Sequence, residues 1–315
     1  MTDNANDFDA HDLVRRLRAR ERRAVARVMT ELERLSPRAP LLLQAMQPYL
    51  GRALVVGFTG PPGAGKSTLV NAYVRHSREA GKTVGVIAVD PSSPVSGGAI
   101  LGDRIRMTAA LNDDGVFVRS LAARGHLGGL SPAAVRMIDA LDAAGFDLVL
   151  LETVGAGQSE IDVAEVADVR LVISAPGLGD DIQAMKAGLL EIADILVVNK
   201  GDREGAERTL QQLAGAVSIR AGDRARVPVL KTTAATGEGV PRLAEAIQAV
   251  AQRAVGDDRR ARRRRRARYL IARAAAELIA ERIRKADAAS IDELADAVLA
   301  GTITPTHAAG QLLQA

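Results

Sequence analysis

The sequence has no cysteine and no tryptophan among its 315 residues, and it contains only four phenylalanines and three tyrosines. The absence of cysteine excludes disulfides, thiolate zinc sites and cysteine nucleophiles. Because aromatic rings are so few, the core must be built from Val, Ile, Leu and Ala. Such a core is normal for a parallel sheet that is covered by helices.

Long apolar runs and paired histidines are also missing. No apolar stretch approaches the roughly 18 residues that a membrane-spanning helix needs, and the acidic start MTDNANDFDA is unlike a signal peptide. We therefore expect a cytoplasmic protein without membrane contact. The four histidines, His11, His76, His126 and His307, lie far apart without a metal-ligand spacing, which is more typical of surface or packing residues.

Positive charge is concentrated in one short stretch. The formal net charge is +4, yet eight arginines fall within the run from Arg259 to Arg268. A local basic run indicates a solvated helix face or a contact with an acidic partner. Nucleic-acid binding is the weaker alternative, because surroundings almost free of aromatic residues offer no platform for base stacking.

The pattern of the chain predicts three parts. Residues 1–50 carry helical spacing, and residues 256–315 return to long helical patterns with an apolar stripe that needs a cover. Between them, residues 51–255 alternate helix-length segments with seven β-rich runs: ALVVGF, TVGVIAVD, GVFVRS, FDLVLLETV, VRLVISA, DILVVNK and VPVLKTTA. Such runs, apolar on both faces, predict an α/β domain with a doubly wound, mostly parallel sheet and helical extensions at both ends.

The first strand leads into a phosphate-binding loop. GPPGAGKS matches G-x-x-x-x-G-K-[ST], with a strand before it and a helix after it. Glycines allow backbone N–H groups to turn toward phosphates, the lysine bridges the terminal phosphates, and the serine hydroxyl serves Mg²⁺. The residues predicted to bind nucleotide here are Gly60, Pro61, Pro62, Gly63, Ala64, Gly65, Lys66, Ser67 and Thr68.

A second motif concerns the identity of the base. The strand DILVV ends in Asn199, Lys200, Gly201 and Asp202, an N-K-x-D pattern. An aspartate placed there accepts two hydrogen bonds from guanine, which adenine does not offer, so the motif predicts selection of guanine. The segment Thr233, Ala234 and Ala235 is placed to close over the base through backbone contacts.

The stretch LETVGAGQSE begins where a third strand ends. Glu152 and Gly155 form E-x-x-G, where phosphate-loop GTPases commonly have D-x-x-G, so we expect the carboxylate to serve the Mg²⁺ shell and the glycine N–H to contact the γ-phosphate. Asp90 and Asp103 are further carboxylates that could serve the metal or the attacking water. The candidate catalytic residues are thus Lys66, Asp90, Asp103 and Glu152, and the candidate metal ligands are Ser67 and the same three carboxylates. Spacing does not divide the roles among the carboxylates.

These motifs together resemble those of the methylmalonyl-CoA mutase-associated GTPases, the MeaB/ArgK family, in the branch of P-loop GTPases that also holds the metal-insertion chaperones. The resemblance covers about residues 50–245, where the matching segments occur in order: GPPGAGKST, VIAVDPSSPVSGGAILGDRIRM, LETVGAGQSE, APGLGDDIQAMKAGLLEIAD, NKGD and TAATGEG. The terminal helical zones match mainly in character.

The resemblance implies a GTP-hydrolysing chaperone of an adenosylcobalamin-dependent acyl-CoA mutase, most simply methylmalonyl-CoA mutase. It implies a homodimer formed through the carboxyl-terminal helices, Mg²⁺ and GTP or GDP as ligands, and cobalamin held by the partner, because this sequence has no D-x-H-x-x-G signature. Asp180, Gln183 and Lys186 would belong to a switch that reports to the mutase. Ala187 stands where some members carry a second lysine, which weakens the expectation of a charge-based coupling there.

Two other functions remain open from the sequence. A GTP-dependent metal-insertion chaperone shares this fold group, although such proteins usually carry cysteine or histidine clusters. A phosphotransferase is permitted by the phosphate loop, although no acceptor pocket is visible in the sequence.

Overall fold

A computed structural model of the chain describes residues 8–90, 113–122, 130–153, 163, 165–177, 187–220, 227–255, 259–285 and 288–314. Two compact units are found, Met1–Arg266 and Ala267–Ala315. The predicted domain boundaries at residues 50 and 255 stay a prediction.

A seven-stranded sheet forms the centre of the first unit. Its strands are β1 Leu54–Thr59, β2 Val84–Asp90, β3 Val116–Ala122, β4 Leu148–Thr153, β5 Val169–Ser174, β6 Ile195–Val198 and β7 Val229–Lys231. Their order is β3-β2-β4-β1-β5-β6-β7, and every neighbouring pair is parallel. The predicted doubly wound sheet is therefore confirmed. Because β1 lies between β4 and β5, the loop after β1 opens at the point where the strand order reverses, which is where ligands bind in such sheets.

Helices connect the strands and precede them. The helices described in the first unit include α1 Ala10–Arg18, α2 Arg22–Arg34, α3 Ala39–Met46, α4 Lys66–Glu79, α5 Pro132–Ala143, α6 Ala187–Ile192, α7 Ala206–Arg220 and α8 Val240–Val255. Local sequence explains several starts. The side chain of Asp9 accepts hydrogen bonds from the backbone N–H groups of His11 and Asp12, and Ser131 caps α5 in the same way just before Pro132.

Aliphatic side chains fill the core between sheet and helices, as the composition requires. The strands β1 and β4 are buried along nearly their whole length, because helices cover both faces of the sheet. Two of the few aromatic residues meet here, with the rings of Phe58 in β1 and Tyr73 in α4 6.0 Å apart. Burial raises the pKa of Tyr73 to about 12, so this hydroxyl stays neutral at physiological pH.

The amino-terminal helices cover the edge of the sheet. Arg22 of α2 donates to the carbonyl oxygens of Asp113 and Val116 at 3.0 and 3.1 Å, and Arg119 of β3 donates to Glu33 at 2.8 Å. An edge strand otherwise presents unpaired backbone groups. The helical extension is thus attached along β3 rather than hanging free.

A long helix, α9 Arg259–Lys285, begins in the first unit and continues into the second, which also contains α10 Ala288–Leu299 and α11 Pro305–Gln314. Ile271, Leu278 and Ile279 of α9 are exposed large hydrophobic residues. No helix in the described ranges has both the length and the apolar character needed to cross a bilayer.

Candidate functional site

The loop after β1 has a backbone that glycine alone fits at two positions. Gly60 has φ +141°, and a Cβ there would lie 2.1 Å from the carbonyl oxygen of Ile173 in β5. Gly65 has φ +82°, and a Cβ there would lie 2.5 Å from the side-chain nitrogen of Asn199. The ends of the neighbouring strands therefore lie in close contact with the loop backbone, and only glycine leaves room for this contact.

Lys66 is the first residue of α4, and its ammonium group turns back into the loop. The Nζ donates to the carbonyl oxygens of Gly60 at 2.8 Å and Pro61 at 2.9 Å, and the side chain is buried. The start of α4 adds its N–H groups and positive end to the same concavity. This arrangement suits a phosphate group. The other predicted loop residues lie along the same turn and the first turn of α4: Pro62, Gly63, Ala64 and Thr68.

A hydroxyl and a carboxylate meet beside the loop. The Ser67 hydroxyl donates to Oε1 of Glu152 at 2.5 Å, and Glu152 is buried at the end of β4. The two come together because Phe58 of β1 is paired with Glu152, so β4 ends beside the strand that leads into the loop. One residue further on, the hydroxyl of Thr153 donates to that of Thr59 at 3.2 Å.

The remaining predicted switch and carboxylate residues are placed only in part. Asp90 ends β2, and its backbone lies at the same edge of the sheet as Glu152, because Ala88 is paired with Glu152. The other residues of this group lie outside the described part of the chain: Asp103, Gly155, Asp180, Gln183 and Lys186.

Asn199, just after β6, links two loops. Its Nδ2 donates to the carbonyl oxygen of Ala64 at 2.9 Å, and its Oδ1 accepts from the hydroxyl of Thr232 at 3.2 Å and the backbone N–H of Ala234 at 3.1 Å. All of these polar atoms are buried or partly buried. The asparagine of the predicted guanine motif thus holds the phosphate loop and the segment after β7 together.

The rest of the guanine motif lies at the surface beside this link. Asp202 is exposed, and Lys200 adopts a left-handed backbone with φ +56°. Thr233 and Ala234 are buried and Ala235 is exposed, in a turn closed by a hydrogen bond from the Thr233 N–H to the Glu238 carbonyl at 2.9 Å. The structure therefore brings the phosphate loop, Glu152, the N-K-x-D segment and the 233–235 segment to one edge of the sheet.

At two positions the arginine run contacts an acidic group, which is one of the two alternatives that the sequence left open. Arg265 and Arg266 point into the first unit, where both donate to the buried carboxylate of Asp168, at 2.9 and 3.2 Å. A second buried carboxylate, Asp142, lies 4.0 Å from Arg266 and accepts from the backbone N–H groups of residues 51–53. The acidic partner of these two arginines is this chain itself.

Several of these groups were not found from the sequence. Thr59, Thr153 and Thr232 occur in apolar strand ends without a motif, although each immediately adjoins a motif that was found. Asp168 meets its arginines across about a hundred positions of chain, and Asp142 lies still farther from Arg266 in sequence, so no periodic pattern signals such pairs.

Comparisons with known proteins agree with this geometry. Residues 23–288 match the family described as methylmalonyl-CoA mutase-associated GTPase MeaB. A protein of Pyrococcus horikoshii is 48% identical over 241 residues, which cover 75% of this chain and 76% of that protein. The GTPase ArgK of Escherichia coli is 45% identical over 201 residues, 62% of this chain and 61% of that one.

Among solved structures, that of a LAO/AO transport system kinase is similar over 98% of both chains, with a TM-score of 0.77 and 29% identity. The family match spans most of the chain, and the motifs that define its nucleotide site lie together in the structure. The chain therefore belongs to the MeaB family of methylmalonyl-CoA mutase-associated GTPases and is itself a GTPase.

Proposed function

We propose that this GTPase is a chaperone of an adenosylcobalamin-dependent acyl-CoA mutase, with methylmalonyl-CoA mutase as the first candidate. It would gate cofactor loading and protect or reactivate the mutase. The observation that carries the proposal is the family match over residues 23–288, because the description of that family names the mutase. The geometry adds a nucleotide site whose occupancy could regulate such a partner.

Phosphate recognition is assigned to the loop of residues 60–68. Lys66 is held in the loop by two neutral carbonyl oxygens, at 2.8 and 2.9 Å, and a phosphate oxygen would be a stronger partner for an ammonium group than either. We expect phosphate binding to exchange these partners of Lys66.

A magnesium ion fits the neighbouring oxygen atoms. Ser67 and Glu152 supply a hydroxyl and a carboxylate within hydrogen-bond distance of each other, and oxygen donors of these types are those that Mg²⁺ prefers. We assign Ser67 and Glu152 to the ion, with Asp90 and Asp103 as further candidates. When bound, the ion would neutralise charge that develops on the β- and γ-phosphates.

Hydrolysis requires a water molecule placed in line with the γ-phosphate. Glu152 is buried at the strand end beside the loop, so it is suited to orient a group in this region, and Gly155 follows three residues later. No arginine finger can be assigned from the described residues. We therefore expect slow turnover without a partner, at roughly 10⁻⁴ to 10⁻² per second, as in comparable unaided sites.

Guanine recognition is assigned to Asp202, supported by Asn199. The exposed carboxylate of Asp202 is free to meet a ligand at the surface of the loop edge, whereas Asn199 is fully engaged within the protein. We assign Lys200 and residues 233–235 to the same base pocket. The carboxylate would accept hydrogen bonds from the guanine ring N–H and amino group.

The remaining parts of the proposal concern partners. Exposed Ile271, Leu278 and Ile279 on α9 recur at helical spacing, which supports a homodimer through the carboxyl-terminal helices. Cobalamin would be held by the mutase, and the protein would act in the cytoplasm. Asp180, Gln183 and Lys186 would transmit the nucleotide state to the partner.

The test is direct binding of the full chain to purified mutases of the methylmalonyl, isobutyryl and ethylmalonyl types, with GDP or a non-hydrolysable GTP analogue present. We expect one mutase to bind with an affinity that differs between the two nucleotides. Arg75→Ala, an exposed change in α4, should behave as the unchanged protein, whereas Lys66→Ala should lose the nucleotide dependence. Absence of binding to all three mutases under both conditions would refute the chaperone role.

A further inference from the structure

Two arginines near the start of α9 form hydrogen bonds with the residues just before β5. Arg265 donates through Nη2 to the carbonyl oxygen of Ala167 and to Oδ1 of Asp168, both at 2.9 Å. Arg266 donates through Nε to the carbonyl oxygen of Val166 and through Nη2 to Oδ2 of Asp168, both at 3.2 Å. Two neighbouring guanidinium groups thus bind three consecutive residues.

This contact between the two arginines and Asp168 is largely buried, unlike an ordinary surface ion pair. The side chain of Asp168 has no exposed surface, that of Arg266 is 4% exposed and that of Arg265 is 38% exposed. A buried charge that loses its partner is left without compensation from water. Breaking the contact therefore favours a rearrangement of the backbone at residues 166–168.

The same segment is hydrogen-bonded to β1, the strand that leads into the phosphate loop. Asp168 accepts from the Val55 N–H through its side chain at 2.9 Å, and its own N–H donates to the Val55 carbonyl at 2.7 Å. Ala167 and Val163 lie over Gly57, where a Cβ would come within 3.1 and 2.1 Å of them. A displacement of Val163, Ala167 or Asp168 would therefore act directly on β1.

The same residues lead directly into a strand that supports the phosphate loop. This strand, β5, carries Ile173, whose carbonyl oxygen closely faces Gly60 of the loop. The position of residues 166–168 thus helps to set the position of the strand against which the loop packs.

We infer that Arg265 and Arg266 are positioning residues for GTP hydrolysis, which act through Asp168 and tie helix α9 to the nucleotide state of the site. The inference rests on the proposed role of Glu152. Coupling of this kind requires that the contact differ in strength between the GDP and GTP forms.

The test compares Arg265→Met with Arg264→Met, which removes the same charge from an exposed position one residue away. Arg265 is half-buried, so its replacement should leave a folded protein, and Arg265→Lys restores the charge without the planar two-donor geometry. The measurements are kcat and KM for GTP and the ratio of Kd values for GDP and a non-hydrolysable GTP analogue. All are made at least 15 °C below the unfolding midpoint of each variant.

We expect Arg265→Met to lower kcat or change the Kd ratio by roughly 5-fold or more, at the low end of couplings between sites. Arg265→Lys should recover part of the effect, and Arg264→Met should match the unchanged protein. A fall in unfolding temperature with kcat, KM and the Kd ratio all equal to those of Arg264→Met would show a purely structural contact and overturn the inference.

Glu152→Gln, measured in parallel, separates this inference from the site on which it rests. If Glu152→Gln abolishes turnover while Arg265→Met has no effect, the site stands and the positioning role is wrong. If Glu152→Gln turns over GTP at the ordinary rate, the assigned role of Glu152 is wrong, and the inference falls with it.

Discussion

Buried charge is held differently at the two ends of the central sheet. At the carboxyl ends of the strands, Lys66 rests on neutral carbonyl oxygens and Glu152 accepts from a hydroxyl. At the amino ends, Asp168 meets the guanidinium groups of Arg265 and Arg266. Neutral hydrogen-bond partners are thus seen at one end, and partners of opposite charge are seen at the other.

The difference separates a binding site from a permanent joint. The interactions of a charged group become stronger when a phosphate or a cation replaces its neutral hydrogen-bond partners, because hydrogen bonds between ionised groups are about twice as strong. A buried ion pair is not strengthened when a ligand replaces one partner. Removal of one partner lowers the free energy of unfolding by about 3 to 5 kcal/mol. We therefore expect changes at the carboxyl ends to alter chemistry with little effect on stability, and changes at the amino ends to do the reverse unless they disturb residues 166–168.

The largest expected effect is on base selection. Asp202→Asn should reverse the acceptor and donor pattern that faces the base, so that xanthosine triphosphate replaces GTP as the preferred substrate. The ratio of the two kcat/KM values should change by roughly 10⁴-fold, because buried polar groups of the wrong base would lack partners. The measurement is hydrolysis of both nucleotides by the variant and the unchanged protein. An unaltered ratio would remove Asp202 from the base pocket.

Lys66→Ala should lower kcat for GTP by on the order of 10² to 10³-fold, as expected when one donor to a developing negative charge is lost. The free energy of unfolding should change by less than about 1 kcal/mol, because the hydrogen bonds lost at Gly60 and Pro61 end on neutral carbonyl oxygens. Phosphate release and urea unfolding measure the two effects. Arg75→Ala in the same helix is the control. A large loss of stability would place Lys66 among the structural residues and break the comparison.

Asp142→Asn tests the amino ends with the opposite expectation. The carboxylate accepts three backbone N–H groups, from residues 51–53, and an amide nitrogen in either oxygen position would face a donor. We expect a loss of about 2 to 4 kcal/mol of unfolding free energy in urea, with kcat for GTP preserved at low temperature. Asp114→Asn, at a fully exposed carboxylate, is the control and should be neutral.

The smallest expected effect depends on pH. Burial raises the pKa of Asp139 to about 6, and nearby Asp142 adds to the rise, while Arg266, Arg263 and Arg136 oppose it. A raised pKa means that the folded protein favours the protonated acid, so this contribution to stability is present at low pH and is lost as the pH rises through about 6.

Asp139→Asn should therefore stabilise the protein at pH 8 by about 1 to 2 kcal/mol, less than for a fully enclosed carboxylate, because part of its surface is exposed. Urea unfolding at several pH values measures the difference, which should shrink toward pH 4. A gain that persists unchanged at pH 4 would show that it does not arise from titration of Asp139.

The fold and the carboxyl ends of the strands could be predicted because their signals are local. Apolar runs such as ALVVGF and VRLVISA correspond to β1 and β5 within one or two residues. The phosphate loop and the N-K-x-D motif are short patterns next to strands, so the sheet topology alone brings them together. The last run, VPVLKTTA, produced only the short β7, because Thr233 turns away to pair with Glu238.

The amino ends could not be predicted because their contacts are distant in sequence. Arg265 and Arg266 look no different from their neighbours in the arginine run, and only the fold shows that these two point inward to Asp168. Of the two alternatives that the sequence left open, contact with an acidic group applies to both of these arginines. Asn199 belongs to the predicted guanine motif, and its side chain also holds two loops together through hydrogen bonds that no spacing rule reveals.

Arg265 and Arg266 limit where the chain can be shortened without loss of folding. A polypeptide that stops at the end of α8, near residue 255, would keep the whole sheet and every nucleotide motif but would leave Asp142 and Asp168 enclosed without their cations. Such a truncation would aggregate or fold poorly for an electrostatic reason unrelated to GTP. A cut placed after Arg266, where the first compact unit ends, would retain both neutralising groups.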